Sequence, residues 1–254
     1  MINVVVLGAG NVGQHLINAF IKADEVTLVQ VYNRTLAHIA QFKHDTAIID
    51  DLSALAKADV YIIAVPDQAV HKVSKAMPLV DGVVAHTSGT TPMSVLSKHN
   101  RRGIFYPLQT FSKAITPNFA SVPFLLESQA ASDLLVLQNL AETLSDKIYD
   151  INSEQRRQIH LSAVMVNNFV NHINYLAFNQ LEKKGLPTDL LMPLMEETLH
   201  KLTYMSPYEA QTGPAKRGDE ETIRQHLALL EHETDKQVYN ILTKSIREHY
   251  GKKL

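Results

Sequence analysis

The chain has 254 residues, a formal net charge of −2 and no cysteine. The balanced charge argues against binding to nucleic acid or to an anionic membrane, since both need a basic surface. The lack of cysteine excludes disulfides, thiolate catalysis and sulfur-ligated metal, and it fits the reducing cytoplasm in which we expect the protein to act.

The chain also lacks the patterns of targeting segments and metal sites. The first residues have no positively charged start of the kind found in signal peptides. No apolar run reaches the ~18 residues that cross a bilayer. The 12 histidines are scattered without metal-binding spacing, so we expect no metal site.

The first part of the chain alternates strand and helix patterns. The predicted strands are 2–7, 26–32, 46–49, 59–65, 82–86, 103–106, 122–126 and 147–151. The predicted helices are 11–22, 67–77 and 129–144, with a short helix after Pro92. This alternation is typical of a doubly wound parallel sheet covered by helices, and we therefore predict an α/β domain over residues 1–151.

From Asn152 onward no strand pattern remains. Asn152 and Gln155 have the spacing of a capping box, and apolar residues at helical spacing predict one long helix that ends before Gly185 and Pro187. Further helices are predicted at 188–204, 219–231 and 234–249. The sequence thus predicts an all-α domain over residues 152–254, whose long helix forms its spine or a dimer interface.

A glycine-rich segment, Gly8-Ala9-Gly10-Asn11-Val12-Gly13, joins the first strand to the first helix. In this context the G-x-G-x-x-G spacing is typical of dinucleotide binding. The first glycine allows a tight turn, the second lets the backbone approach the pyrophosphate, and the third lets helix and strand pack closely. We predict that the pyrophosphate binds at Gly8, Gly10, Asn11, Val12 and Gly13, against the free N–H groups of the helix.

The end of the second strand indicates which dinucleotide binds. NAD enzymes usually place an acidic residue there for the ribose hydroxyls, but this strand is followed by Asn33-Arg34-Thr35. A guanidinium is suited to a 2′-phosphate. The pattern favours NADP, with Asn33, Arg34 and Thr35 as ligands; the alternative for Arg34 is a solvated surface charge.

Two other strands end in residues suited to the same sheet edge, where ligands bind in open α/β folds. We predict cofactor contacts at four positions after these strands, namely Val65, Pro66, His86 and Ser88. Asp67 is expected to cap the next helix, and the alternative for His86 is a hydrogen-bonded core residue.

Together with the helical second half, these motifs resemble the superfamily of 6-phosphogluconate dehydrogenase, ketopantoate reductase, pyrroline-5-carboxylate reductase and deazaflavin-dependent NADP oxidoreductases. A closer resemblance is to a bacterial oxidoreductase family that joins a Rossmann-like domain to a helical domain of unknown function. That likeness extends to segments 86–89, 106–111, 160–168 and 213–219. It implies NADP binding and a homodimer formed through the helical domain.

The resemblance also directs attention to catalytic residues. The related dehydrogenases use a Lys and an Asn on their first long helix, but this chain has no Lys between residues 148 and 182. His160 and Asn168 are the candidates there, ~80° apart on an ideal α-helix. The alternatives are an interfacial or core imidazole for His160 and a buried, hydrogen-bonded amide for Asn168. Tyr106 stands where the family commonly has His.

Segment 213–219 supplies the last candidate. Arg217 is suited to clamp an anionic substrate, or it is a plain surface charge, and Asp219 is expected to cap the following helix. We therefore expect an NADP-dependent oxidoreductase acting on a small anionic carbonyl or imine between the two domains. The missing Lys and Tyr106 motivate the alternative of a non-catalytic NADP(H)-binding or sensor protein.

Overall fold

The computed structural model describes residues 1–250, which form two compact units that divide after Asn167. The sequence places a domain boundary at residue 151, where the strand pattern ends. The first compact unit continues past that point because it also includes the helix that follows the last strand. The last four residues of the predicted helical domain lie outside the described residues.

An eight-stranded sheet forms the centre of the first unit. Its strands are β1 (Ile2–Leu7), β2 (Val26–Tyr32), β3 (Ala47–Ile49), β4 (Val60–Ile63), β5 (Val83–His86), β6 (Arg101–Pro107), β7 (Phe124–Ser128) and β8 (Ile148–Asp150). The strand order is β3-β2-β1-β4-β5-β6-β7-β8, and all neighbouring pairs are parallel except β6 and β7. The predicted Rossmann-like parallel sheet is confirmed. The sequence did not predict that β7 runs antiparallel to β6.

Four helices accompany the sheet, α1 (Asn11–Lys22), α2 (Asp67–Ala76), α3 (Ala131–Glu142) and α4 (Ser153–Ala163). Alternate residues of β1 enter two separate cores: Val4 and Val6 pack with residues of α1 and α3, while Val5 and Leu7 pack with Val70 of α2. Because both faces are covered, the central strands β1, β4 and β5 are largely apolar, as parallel strands usually are. Each fully buried aliphatic side chain contributes about 1.5–3 kcal/mol.

Helix α4 begins with the predicted capping box. The Asn152 side chain accepts hydrogen bonds from the Glu154 and Gln155 N–H groups at 3.0 and 2.9 Å, and the Gln155 side chain accepts from the Asn152 N–H at 3.1 Å. This reciprocal arrangement satisfies N–H groups that a helix start leaves without partners. It also fixes the residue at which the helical part of the chain begins.

The predicted long helix is not uniform. Helix α4 passes into a π-helical segment, Val164–Phe169, before α5 (Val170–Glu182) continues to a left-handed Gly185, φ +66°. The ~80° separation expected for His160 and Asn168 on an α-helix therefore does not hold, since π turns have a different hydrogen-bond spacing. Such turns are rare and occur frequently at functional sites.

The rest of the second unit is helical. It contains α6 (Met192–Lys201), α7 (Pro207–Ala210), α8 (Pro214–Arg217), α9 (Glu220–Leu229) and α10 (Glu233–Tyr250). The predicted helices correspond to α6, α9 and α10, and Asp219 caps α9 as expected by accepting the Thr222 N–H at 3.1 Å. The two short helices, which each begin with proline, were not predicted. In the described part of the chain, no helix is long and apolar enough to cross a membrane.

Few side chains of the second unit are shielded from solvent. Between residues 168 and 250 three residues are buried, Ala215, Ile223 and Thr243. Large apolar side chains on the π-helical segment, α6 and α10 are exposed instead, including Phe169, Leu194, Leu199 and Ile241. A single chain therefore leaves an extended apolar surface on this unit, which is unusual for a monomeric protein.

Candidate functional site

The glycine-rich loop lies where the sheet order reverses, between β1 and β4. Gly8 has φ +105°, a conformation that favours glycine, and a Cβ there would lie 2.6 Å from the Ala64 carbonyl oxygen. At Gly13 a Cβ would overlap the Gly8 carbonyl oxygen. Two of the three motif glycines are thus required by the fold, because they let α1 start directly against the ends of β1 and β4.

Gly10 is the exception. Its φ of −69° and ψ of −169° suit any residue, and a Cβ would meet no protein atom within 4 Å. Helix α1 begins there with no capping side chain and no acidic residue in its first turn. The residue therefore borders open space in front of free helix N–H groups, which is the geometry that binds an anion.

Two residues of α1, the predicted ligand Asn11 and also His15, contact the segment after β6. The Asn11 side chain donates to the Phe111 carbonyl at 3.1 Å, and His15 hydrogen-bonds the Ser112 carbonyl at 2.8 Å. These contacts hold the segment after β6 against the start of α1. The side chain of Asn11 is therefore engaged with the protein, and what it offers an anion is its backbone N–H.

The end of β2 presents one cation at the same sheet edge. Arg34 is exposed, while the Asn33 side chain donates to the Thr35 carbonyl at 2.8 Å and the Asn33 N–H donates to Ile49 at 3.0 Å. Asn33 thus shapes the turn, and Arg34 is the residue whose side chain is free to extend from it toward a ligand.

The segment that follows β4 differs from the prediction at Asp67. Val65 packs on Gly8, and Pro66 is the residue before the first turn of α2. The prediction that Asp67 caps α2 is wrong, since that helix has no side-chain cap. Asp67 instead accepts a hydrogen bond from the Thr90 hydroxyl at 2.8 Å. This contact joins the loops that follow β4 and β5.

His86 at the end of β5 is completely buried. Its Nδ1 accepts the Ser88 N–H at 3.1 Å, and the Ser88 hydroxyl accepts the Thr91 N–H at 3.0 Å. Burial lowers the pKa of His86 to about 4, helped by the Arg156 cation, so the ring is neutral at physiological pH. His86 and Ser88 thus shape the turn Ser88–Thr91. His86 has no exposed surface with which to contact a ligand.

Tyr106 and His160 are brought together although they are 54 residues apart in sequence. The Tyr106 hydroxyl lies 3.1 Å from His160 Nδ1. Gly89 packs against both rings, since a Cβ there would lie 2.5 Å from His160 Nδ1 and 3.0 Å from Tyr106 Cζ. Burial raises the pKa of Tyr106, Arg156 opposes the shift and Asp67 reinforces it, so the phenol stays protonated at neutral pH. We call these three residues the Tyr106 cluster.

The two remaining catalytic candidates lie in the second unit. Asn168 is exposed within the π-helical segment, so the alternative of a buried structural amide does not describe this chain. Arg217 is exposed at the end of α8, just before the left-handed Gly218. Their roles stay predictions.

Two residues near the site were not identified from the sequence. Arg156 and Glu127 belong to no motif, whereas Gly89 lies in the segment 86–89 that the sequence places at the ligand edge. Arg156 is fully buried and pairs with Glu127 at 2.7 Å. In the sequence Arg156 cannot be distinguished from its exposed neighbour Arg157.

Two family models match the chain. Residues 3–85 match the family described as NADP oxidoreductase, coenzyme F420-dependent, and residues 122–246 match a domain of unknown function, DUF2520. No curated protein matches the chain at a significant level.

Solved structures share the fold over nearly the full length. A Bacteroides fragilis protein described as a "putative NADP oxidoreductase" is 35% identical, with a TM-score of 0.86 and coverage of 97% of this chain and 98% of that one. A Thermotoga maritima protein is 23% identical, with a TM-score of 0.73 and the same coverage. A reductive aminase from Aspergillus terreus in complex with NADPH and ethyl-5-oxohexanoate is 14% identical, with a TM-score of 0.72 and coverage of 99% and 96%. The last two show the fold alone.

Proposed function

Because this chain belongs to the NADP oxidoreductase family that includes the Bacteroides fragilis protein, we propose that it transfers hydride between NADP(H) and a small anionic carbonyl or imine compound. The competing candidate is a protein that binds NADP(H) without catalysis. The absence of Lys from residues 148–182 motivates that candidate, and the experiments below distinguish the two.

Gly10 is the observation that carries the proposal. Neither its backbone conformation nor packing against protein atoms requires a glycine. A glycine is required there when the protein backbone has to approach the pyrophosphate of a bound dinucleotide. The residues present therefore fit a dinucleotide: the N–H groups at the start of α1 would hold the pyrophosphate, and Arg34 would pair with the 2′-phosphate.

The Tyr106 cluster supplies the second requirement of the reaction. NADPH, when bound, supplies the hydride, so the protein needs to provide a proton donor to the carbonyl oxygen or imine nitrogen. With its proton on Nδ1, His160 donates to the Tyr106 oxygen and leaves the phenol O–H free for the substrate. His160 would then pass its Nδ1 proton to the phenolate while its Nε2 takes a proton from solvent, so the phenol is restored and the imidazole stays neutral.

The substrate class rests on two further residues and on a structural relative. Arg217 is an exposed cation that would pair with a carboxylate, and Asn168 would orient the reacting group. The Aspergillus terreus reductive aminase was solved with ethyl-5-oxohexanoate, a keto ester. We extend from that protein only the reacting group, a carbonyl or the imine formed from it.

We also propose that two copies associate through the second unit. Three buried residues between 168 and 250 do not provide a helical unit of this size with a hydrophobic core. Its exposed apolar side chains therefore need a partner surface. A second copy is the partner we choose, since most oligomers are symmetric homo-oligomers and a twofold axis lets one apolar surface cover its own equivalent.

The two glycines Gly10 and Gly13 make a matched test of cofactor binding. Gly10→Ala should leave the free energy of unfolding within about 1 kcal/mol but raise the Kd for NADPH at least tenfold, or about 1.4 kcal/mol. Gly13→Ala should lower the free energy of unfolding by about 1–3 kcal/mol or more, because its Cβ overlaps a carbonyl. Urea unfolding and titration calorimetry measure both; unchanged NADPH affinity in Gly10→Ala would contradict the site.

Arg34 should determine the choice between the two nicotinamide cofactors. Arg34→Ala should raise the Kd for NADPH about 10- to 100-fold, since a hydrogen bond to a charged group is worth about 1.5–3 kcal/mol. The Kd for NADH should stay within about twofold. Lys22→Ala, at the opposite end of α1, is the control. Equal losses for both cofactors, or none, would refute the assignment of Arg34 to the 2′-phosphate.

Tyr106 should be needed for turnover and not for cofactor binding. NADPH oxidation is measured with a panel of keto acids, keto esters, cyclic imines and ketone–amine mixtures. Tyr106→Phe should lower kcat about 100-fold or more, the usual contribution of a general acid, and His160→Ala should also lower kcat. Tyr149→Phe, at an exposed tyrosine of β8, should be neutral. Tight NADPH binding without turnover on the whole panel would favour the non-catalytic candidate.

Sedimentation equilibrium tests the proposed dimer. The native chain should have twice the 28.4 kDa mass of one copy, and its unfolding midpoint should rise with protein concentration. Leu194→Glu, on the exposed face of α6 (65% exposed), should weaken association, whereas Leu79→Glu in the first unit (76% exposed) should not. A concentration-independent mass of one copy would exclude the dimer.

A further inference from the structure

Arg156 is the largest fully buried side chain in the described part of the molecule. A buried guanidinium is stable only when its charge is paired and its N–H groups are satisfied. One N–H group donates to Glu127 of β7 at 2.7 Å. Three more donate to two backbone carbonyls, those of Ser88 at 3.2 Å and Thr91 at 2.6 Å, and to the Ser153 hydroxyl at 3.2 Å.

Ser153 completes this network. Its hydroxyl donates to the same Glu127 carboxylate oxygen at 2.6 Å and accepts the Met93 N–H at 3.1 Å. The pair Arg156–Glu127 is thus joined to strand β7, to the first turn of α4 and to the segment after β5. Two residues of the first turn of α4, Ser153 and Arg156, thus connect these three parts of the first unit.

The two carbonyls held by Arg156 flank Gly89 and Thr90. Gly89 is the residue that packs on His160 and Tyr106. Arg156 and His160 are four residues apart on α4 and so project from one face of the helix, one turn apart. The turn Ser88–Thr91 is therefore held at both ends by Arg156 and contacted in its middle by His160.

We propose that Arg156 is a positioning residue that holds the turn Ser88–Thr91 and α4 in the one arrangement that brings Tyr106, His160 and Gly89 into contact. Its importance for turnover rests on the proposed function, whereas its effect on the geometry of the Tyr106 cluster does not. The ion pair with Glu127 neutralises the buried charge, and the positioning is done by the bonds to the two carbonyls.

Electrostatics supports the same assignment. The charged and titratable groups that act on Tyr106 are Arg156, which lowers its pKa, Asp67, which raises it, and His160, its hydrogen-bond partner. Loss of the Arg156 cation should therefore make the phenol a weaker acid. The titration of Tyr106 thus reports the nearby charge of Arg156, and hydrogen exchange of the turn reports the positioning.

The experiment compares Arg156→Gln, Arg156→Lys and Glu127→Gln in the full chain, with Arg157→Gln as the exposed control. Both Arg156→Gln and Glu127→Gln break the ion pair, but only Arg156→Gln releases the carbonyls of Ser88 and Thr91. Folding of each variant is checked by near-UV circular dichroism. If Arg156→Gln does not fold, Arg156→Lys, which keeps the charge and loses the planar fork, provides the comparison.

Two readouts need no turnover. Amide hydrogen exchange at Gly89 and Thr90 should accelerate about tenfold or more in both Arg156 variants and little in Glu127→Gln. The titration of 13C-labelled Tyr106, assigned with Tyr106→Phe, should move to higher pH in Arg156→Gln and stay near its native position in Arg156→Lys. Equal exchange in the native chain and the folded Arg156 variants, or equal effects of Arg156→Gln and Glu127→Gln, would overturn the proposal.

Turnover separates this proposal from the proposed function. If the native chain reduces a substrate, the Arg156 variants should lose about 10- to 100-fold in kcat with an unchanged Kd for NADPH. If the native chain shows no turnover on the panel, the non-catalytic candidate is favoured, and the exchange experiment still decides whether Arg156 positions the turn at the Tyr106 cluster.

Discussion

The first unit depends on the close approach of α1 to the central strand β1. Gly13 packs on the Gly8 carbonyl and Gly8 packs on the end of β4, with no room for a Cβ at either position. This contact places the start of α1 at the point where the strand order reverses, the position at which open parallel sheets bind ligands. The open side of Gly10, and so the proposed pyrophosphate site, follows from the same packing.

A second constraint acts at the same edge of the sheet. The parallel strands β4, β5 and β6 end there, and this edge carries Asp67, the turn Ser88–Thr91 and, near the end of β6, Tyr106. Helix α4 is joined to this edge through Arg156, whose buried charge is neutralised by Glu127. A buried ion pair adds little net stability compared with an apolar contact, so its presence here is better explained by the geometry that it imposes on the neighbouring turn.

The pattern of the sequence was sufficient for the strands, for most helices and for both helix caps at Asn152 and Asp219. These features depend on neighbours within a few residues, as capping and hydrophobic periodicity do. The prediction that Asp67 caps α2 was wrong because the outcome depended on a contact that is distant in sequence. Asp67 has the residue type of a cap, but it binds the hydroxyl of Thr90 from a different segment. The π-helical segment Val164–Phe169 left no signal, since its apolar residues also suit a continuous α-helix.

The sequence by itself determined the strands, the glycine-rich loop and the cation at Arg34, because each depends on residue types at a short spacing along the chain. Only the tertiary structure decided that Tyr106 meets His160 and that Gly89 has to lack a side chain between them. It also distinguished Arg156, which is fully buried, from Arg157, which is exposed, although the two are adjacent residues of the same type on one helix. Burial is a property of the elements packed around a residue, and those elements come from parts of the chain up to 68 positions away.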